Sequence, residues 1–197
     1  MRVAVVISGH VPSTWAHSIN TVNHASAFRR LGHEVTVYSP LRYQEKKRLH
    51  KTKPQELYNT EGVSFKLIKD RSIFYYKEHP VLKPFFKVLD VLWPLRRICD
   101  PEKEIAKTIV KNNTELAYCR CFRTAEYLIK ENIPVVVETH NPHLSDPDLR
   151  RLLKHHANPC FRGFVTIAPQ IGEALKNAGV DSEKILVRED AVDIHRY

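Results

Sequence analysis

A chain of 197 residues with 43% hydrophobic and 27% charged residues can bury a substantial core, which excludes a disordered polymer. No apolar run approaches the ~20 residues that span a bilayer, and the apolar stretch after Met1-Arg2 is too short for a secretory leader, so a cytoplasmic protein is expected. Lys and Arg outnumber Asp and Glu by 31 to 22, and the resulting +9 suits an anionic partner: nucleic acid, a phosphorylated small molecule or an anionic membrane face.

Strand and helix signals alternate from the first residues. RVAVVI (2–7) is a continuous β-branched run of the kind that fills a buried parallel strand. A polar loop, SGHVPSTWAHS (8–18), follows, with Ser18 placed to cap a helix. Ile19, Val22, Ala25, Phe28 and Leu31 then recur every third residue, and Gly32 can end that helix in a left-handed conformation. HEVTVYS (33–39) reads as the second strand and completes a βαβ unit with a right-handed crossover.

The strongly basic stretch 42–53 reads as a solvated excursion, and VSFKLI (63–68) as a strand. Residues 80–99 are helical in parts, interrupted by Pro84 and Pro94. A helix over 101–112 opens on Pro101 and turns Ile105, Ile109 and Val110 inward. A strand at 115–120, a helix at 124–132 and the buried strand PVVVET (134–139) follow. The helix over 145–156 opens on Ser145 as its cap, and a strand at 163–168, a helix at 170–178 and a strand at 184–187 complete the series. Seven strands joined by about six crossovers predict an α/β class: a Rossmann-like, three-layer domain around a mostly parallel sheet.

In such sheets ligands bind beyond the carboxyl ends of the strands, which directs attention to the loops after the first, fourth and fifth strands. The first loop has a single glycine, Gly9, and no glycine-rich phosphate fingerprint, so NAD or ATP bound in the usual way is not expected. It does supply hydroxyls and imidazoles, among them His10, His17 and Ser18, which hydrogen-bond sugars and neutral polar ligands well. After the fourth strand, Arg120 and Arg123 either hold an anionic group or pair with carboxylates inside the domain.

The loop ETHNPHLSD (138–146) is the sharpest feature. Glu138 closes a hydrophobic strand, where a carboxylate needs a partner, and His140 follows on the same side if the extended geometry persists. A Glu beside a His fixes its tautomer and raises its basicity, which serves a hydrogen-bonding, proton-handling or purely structural role. His140, His143, Asp146 and Asp148 also read as metal ligands, but their spacing is poorly defined for that role and no metal is expected. His24, seven residues after His17, reads as an ordinary helix residue. Cys119 and Cys121 lie one residue apart, Cys99 and Cys160 elsewhere; this is neither a zinc nor a disulfide pattern, and reduced, mostly buried thiols are expected. No recognition helix, stacking platform or zinc finger supports nucleic-acid binding.

Three stretches resemble the retaining glycosyltransferases of family 4: STWAHSINTVNHASAFRRLGHEVTVYSP, VVVETHNP, and GFVTIAPQIGEALKNAGVDSEKILVREDAVDIHRY. The similarity covers both ends of the chain and only thinly 40–115. It implies a two-domain GT-B enzyme moving a sugar from a nucleotide-sugar donor to a glycan or lipid-linked acceptor, without a metal or other cofactor. Residues 1–187 would be its N-terminal, acceptor-side domain and 188–197 the start of the linker, where Asp190-Ala191-Val192-Asp193 and Tyr197 match the passage between domains. The C-terminal, donor-binding domain would lie beyond, and this portion alone would be inactive.

The resemblance assigns His140 to the sugar between donor and acceptor as the catalytic-site histidine. It places Gly9 and its neighbours beneath the donor phosphates and sugar, and Glu138 with His140 matches the family's strand that ends in an acidic residue and a histidine; Glu138 and Asn141 are counted among the candidate substrate-binding residues. The family's paired glycines in the first loop are absent, Ala168 replaces a frequent serine and Ala191 a linker glycine. The basic, aromatic-rich segment 81–99 either covers the sheet or rests on the inner face of a membrane as a peripheral contact. A stand-alone sugar- or nucleotide-binding, or regulatory, module is the alternative to an enzyme domain.

Overall fold

The structure, a computed structural model, describes residues 1–7, 9, 11–41, 53–69, 100–140 and 144–188. Among the described residues seven strands form one sheet: β1 (Arg2–Val6), β2 (Glu34–Leu41), β3 (Val63–Lys69), β4 (Leu116–Cys119), β5 (Val135–Thr139), β6 (Phe161–Thr166) and β7 (Ile185–Val187). Their order is β3-β2-β1-β4-β5-β6-β7 and every neighbouring pair is parallel. The expected α/β class, Rossmann-like layering and strand number are all observed.

The helices among the described residues are α1 (Ala16–Arg30), α2 (Pro54–Tyr58), α3 (Pro101–Lys111), α4 (Phe122–Lys130), α5 (Pro147–Leu153) and α6 (Pro169–Asn177). Strand β1 shows why its sequence does not alternate. Val3 and Val5 pack with Ala25 and Phe28 of α1 on one face of the sheet. Ala4 and Val6 pack on the other, in a larger core with Ile105 and Ile109 of α3, Leu128 and Ile129 of α4 and Leu149 and Leu152 of α5. Both faces are covered, so both sets of side chains are apolar. Each buried Ile or Leu is worth about 1.5–3 kcal/mol, so paired anchors such as Ile105 and Ile109 fix a helix against the sheet.

Several boundaries differ from the sequence reading. Helix α1 begins at Ala16 with Trp15 as its cap, so Ser18 lies inside the first turn, buried, and not at the cap. Leu31 is 71% exposed because it terminates α1 instead of extending its inner stripe. Asp146, not Ser145, caps α5: its Oδ1 accepts from the Asp148 N–H at 2.7 Å. Pro147 occupies the first helical position, so the residue before it becomes the cap. Helix α4 starts at Phe122, two residues early, and β6 at Phe161, also two residues early.

Helix α2 went unforeseen; it is five residues long and is closed by Asn59 in a left-handed conformation. Gly163 sits in β6 at a register shift against β5, with φ +142°, where a Cβ would overlap the Lys184 carbonyl. Cys119 ends β4 in the core and Cys121 caps α4, so they do not share a strand, and both thiols are raised by burial. The described cysteines are free, whereas Cys99, the segments 42–52 and 81–99 and the linker motif at 190–197 lie outside the described residues.

Candidate functional site

The strand order reverses at β1, whose neighbours β2 and β4 belong to the two opposite halves of the winding. At such a switch point the loops leaving adjacent strands diverge and open a crevice. Here the Arg120 N–H, just past β4, donates to the Val6 carbonyl at 2.9 Å, so the loop after β4 leaves beside that after β1. Strand β5 follows β4, and its two-residue period decides what faces what. Val135 and Val137 enter the larger core, whereas Val136 packs on the α1 side. Glu138 therefore points towards α1.

Helix α1 meets it with polar residues. His17, Thr21 and His24 follow one stripe of the helix, and this explains why the amino-terminal half of α1 lacks a clean apolar face. The Glu138 side chain is only 2% exposed and engages three basic groups. His24 Nδ1 lies 3.2 Å from Oε2, and neither atom has another hydrogen-bond partner. Arg120 Nε lies 3.6 Å from Oε1, and His140 Nε2 is hydrogen-bonded to the same oxygen.

Arg120 is itself held. Its Nη1 donates to the His17 carbonyl at 3.0 Å and to Thr21 Oγ1 at 3.1 Å. Its Nη2 lies 3.2 Å from Nδ1 and 2.9 Å from Nε2 of His140. A carboxylate only accepts, so the proton shared with Glu138 sits on His140 Nε2.

The electrostatics follow from this packing. Burial alone would push the Glu138 carboxyl up, but His24, Arg120 and His140 outweigh it and hold the group at about 2. Two unit charges at the Arg120–Glu138 separation attract by roughly 5 kcal/mol at an effective dielectric of about 20, comparable with the several kcal/mol that desolvation costs per ion. Burial, then the charge of Arg120, lowers His17, keeping its ring neutral at pH 7. At 2% exposure the Glu138 carboxylate cannot serve as a nucleophile, whereas His140 is 28% exposed and can reach a ligand.

Of the residues singled out in the sequence, Arg120, Glu138 and His140 come together directly, and His17 joins them through its carbonyl. Gly9 lies beside them: a Cβ there would overlap His17 Nε2, so the close approach of the imidazole requires glycine. Ser18 is fully buried and so offers no open hydroxyl to a ligand. Arg123 belongs elsewhere. Its Nη2 donates to Asp100 Oδ2 at 2.7 Å, which also accepts from the Tyr127 hydroxyl at 2.7 Å. In that cluster, burial and Asp100 push the Glu102 carboxyl up to about 7. His10 and Asn141 lie outside the described residues.

His24 corrects the reading of it as an ordinary helix residue, since it is one of the two histidines that face Glu138. Its seven-residue spacing from His17, with Thr21 between, was the available signal. The loop before α1 is pinned from β3's side of the sheet, where the Ser13 N–H donates to the Tyr58 hydroxyl at 2.7 Å and that hydroxyl donates back to the Ser13 carbonyl at 2.7 Å. Among the described residues no group of three or more His, Cys, Asp or Glu is placed to hold a metal ion. Nor is any described helix long and apolar enough to cross a membrane.

In sequence the chain matches no family model and none of the curated proteins. Its fold does match solved structures. HepE of Anabaena in complex with UDP superimposes with a TM-score of 0.59 at 14% identity, over 98% of this chain and 45% of that one. A putative UDP-N-acetylglucosamine 2-epimerase of Listeria monocytogenes gives 0.55 at 13% identity, over 93% and 43%. A Glycyrrhiza uralensis UGT complexed with glycyrrhetinic acid 3-O-monoglucuronide gives 0.51 at 10%, over 94% and 48%. At these identities the likeness is one of fold, a Rossmann-like α/β domain, and the chain spans less than half the length of each of those proteins.

Proposed function

We propose that this chain is the N-terminal, acceptor-side domain of a retaining glycosyltransferase that moves a sugar from a nucleotide-sugar donor to a glycan or lipid-linked acceptor. The observation that carries the reading is the buried Glu138, clamped by Arg120, His24 and His140 at the carboxyl end of β5 beside the switch point. The UDP bound to HepE, and the UDP-sugar in the name of the Listeria protein, support a nucleotide-sugar as the ligand class. A second domain would supply most of the donor contacts and close over the crevice, and no metal or other cofactor would be required.

Each residue then has a defined task. Glu138 is a positioning residue: it is closed off from substrate and holds the His140 ring by its Nε2–H. His140 is the group that reaches the sugar, hydrogen-bonding a hydroxyl at the reacting centre. Arg120 and the amino terminus of α1 supply positive potential beside the crevice, which favours the developing charge of a leaving diphosphate. None of these tasks needs a protein nucleophile.

The test is glycosyl transfer by the polypeptide from the complete reading frame, assayed with a panel of nucleoside-diphosphate sugars. Transfer is expected, and His140→Ala should reduce kcat by about tenfold to a thousandfold, the range for losing one positioned polar group at a reacting centre. An unchanged rate in His140→Ala would remove that residue from the chemistry. Binding of the sugar nucleotide with no turnover would favour the stand-alone binding module.

A further inference from the structure

The opposite end of the sheet carries a polar cavity, formed where the last turn of α1 meets the turn between α2 and β3. It has a volume of about 320 Å³ and is lined by Ser26, Arg29, Arg30, Asn59, Thr60 and Glu61. These residues lie at the amino ends of β2 and β3, away from the Glu138 cluster. The cavity is built, not incidental. Asn59 and Gly62 take left-handed conformations, with φ 48° and +69°, and so fold the turn towards α1. Arg29 lies across that turn, close enough that a Cβ on Gly62 would come within 2.5 Å of its Nε, and its Nη1 donates to the His33 carbonyl at 3.3 Å.

Basic residues in the last turn of a helix complement its dipole, and that accounts for the presence of two arginines. It does not account for Thr60. This residue is 94% buried by its 6% exposure, it lines the cavity, and its hydroxyl has no hydrogen-bond partner. A buried hydroxyl without a partner gives up its hydration for nothing in return and calls for a partner. Among the described residues neither Arg30 nor Glu61 forms an ion pair, and two guanidinium groups against one carboxylate leave the cavity net positive. We propose that this cavity is an anion site for a phosphate group, held between Arg29 and Arg30 with Thr60 donating its hydroxyl.

The chemistry fits a phosphoryl oxygen in each respect: planar donors from arginine, a neutral hydroxyl donor beneath, and space for a small phosphorylated group. Glu61 at the exposed rim disfavours highly charged polyanions, which makes a single phosphate the better fit. The source is either a free phosphorylated small molecule or the headgroup of an anionic phospholipid.

Calorimetric titration of the 197-residue chain with inorganic phosphate at low ionic strength tests the site. Saturable binding at one site is expected, weakened about tenfold by Arg30→Ala, the size of one charge-assisted hydrogen bond. Thr60→Val should weaken it severalfold while leaving thermal stability equal or higher, because the isosteric methyl removes an unpaired hydroxyl. The double variant Lys111→Ala/Lys154→Ala removes more charge elsewhere and should leave binding unchanged. Cosedimentation with phosphatidylcholine vesicles, with and without phosphatidic acid, separates the sources. Arg30-dependent binding to the acidic vesicles assigns a lipid headgroup, and phosphate binding without it assigns a soluble ligand. Absence of saturable binding in both arms, or equal losses in Arg30→Ala and the lysine variant, overturns the proposal.

Discussion

Replacing Glu138 by Gln removes one charge at nearly constant shape and tests whether the carboxylate is held by its basic neighbours. Arg120, only 10% exposed at its side chain, would lose its buried counter-ion, and breaking such a pair typically costs 3–5 kcal/mol. Proton linkage offers an independent route to the magnitude. A carboxyl that titrates at 4.5 when unfolded and at about 2 when folded contributes roughly 3 kcal/mol at neutral pH. Because the folded value lies below the unfolded one, this stability is present above 4.5 and is lost as pH falls through about 2. Urea denaturation of the wild type and Glu138→Gln should therefore show a gap of roughly 3 kcal/mol at pH 7 that narrows to about 1.5 kcal/mol at pH 3. A gap independent of pH, or one below about 0.5 kcal/mol at pH 7, would show that His24, Arg120 and His140 do not hold the carboxylate.

Two further substitutions test the surroundings of that cluster. His24→Leu leaves Glu138 Oε2 without its 3.2 Å neighbour; a loss of about 1–3 kcal/mol and an acid transition moved to higher pH are expected from urea titrations between pH 2 and 7. Tyr58→Phe unpairs both the N–H and the carbonyl of Ser13, which is 4% exposed. It should cost about 1–3 kcal/mol and accelerate hydrogen exchange at the Ser13 amide, while protection in β1 is retained.

The candidate site was legible in part, and its legible part has a common character. Glu138 lies on β5 and His140 follows two residues later, just past the end of that strand, so their meeting follows from local geometry alone. His24 and Arg120 meet the same carboxylate from other elements, 114 and 18 positions away along the chain, and no local pattern states that distance. Arg120 and Arg123 looked alike in sequence, yet one turns to Glu138 and the other to Asp100. Three residues of separation across a strand end and a helix start were enough to send them to different partners.

By itself the sequence determined the layering of this protein. Continuous β-branched runs cannot face water on either side, and the intervening helical stripes supply the cover, so a parallel sheet between helices is the arrangement that buries them all. Only the tertiary structure decided the strand order β3-β2-β1-β4-β5-β6-β7, and with it the switch point at β1. Which strand lies next to which depends on contacts distant in sequence, and local periodicity carries no record of them. The same holds for the charge on Glu138, since a buried carboxylate stays ionised only where the fold delivers cationic and hydrogen-bonding neighbours from three separate elements.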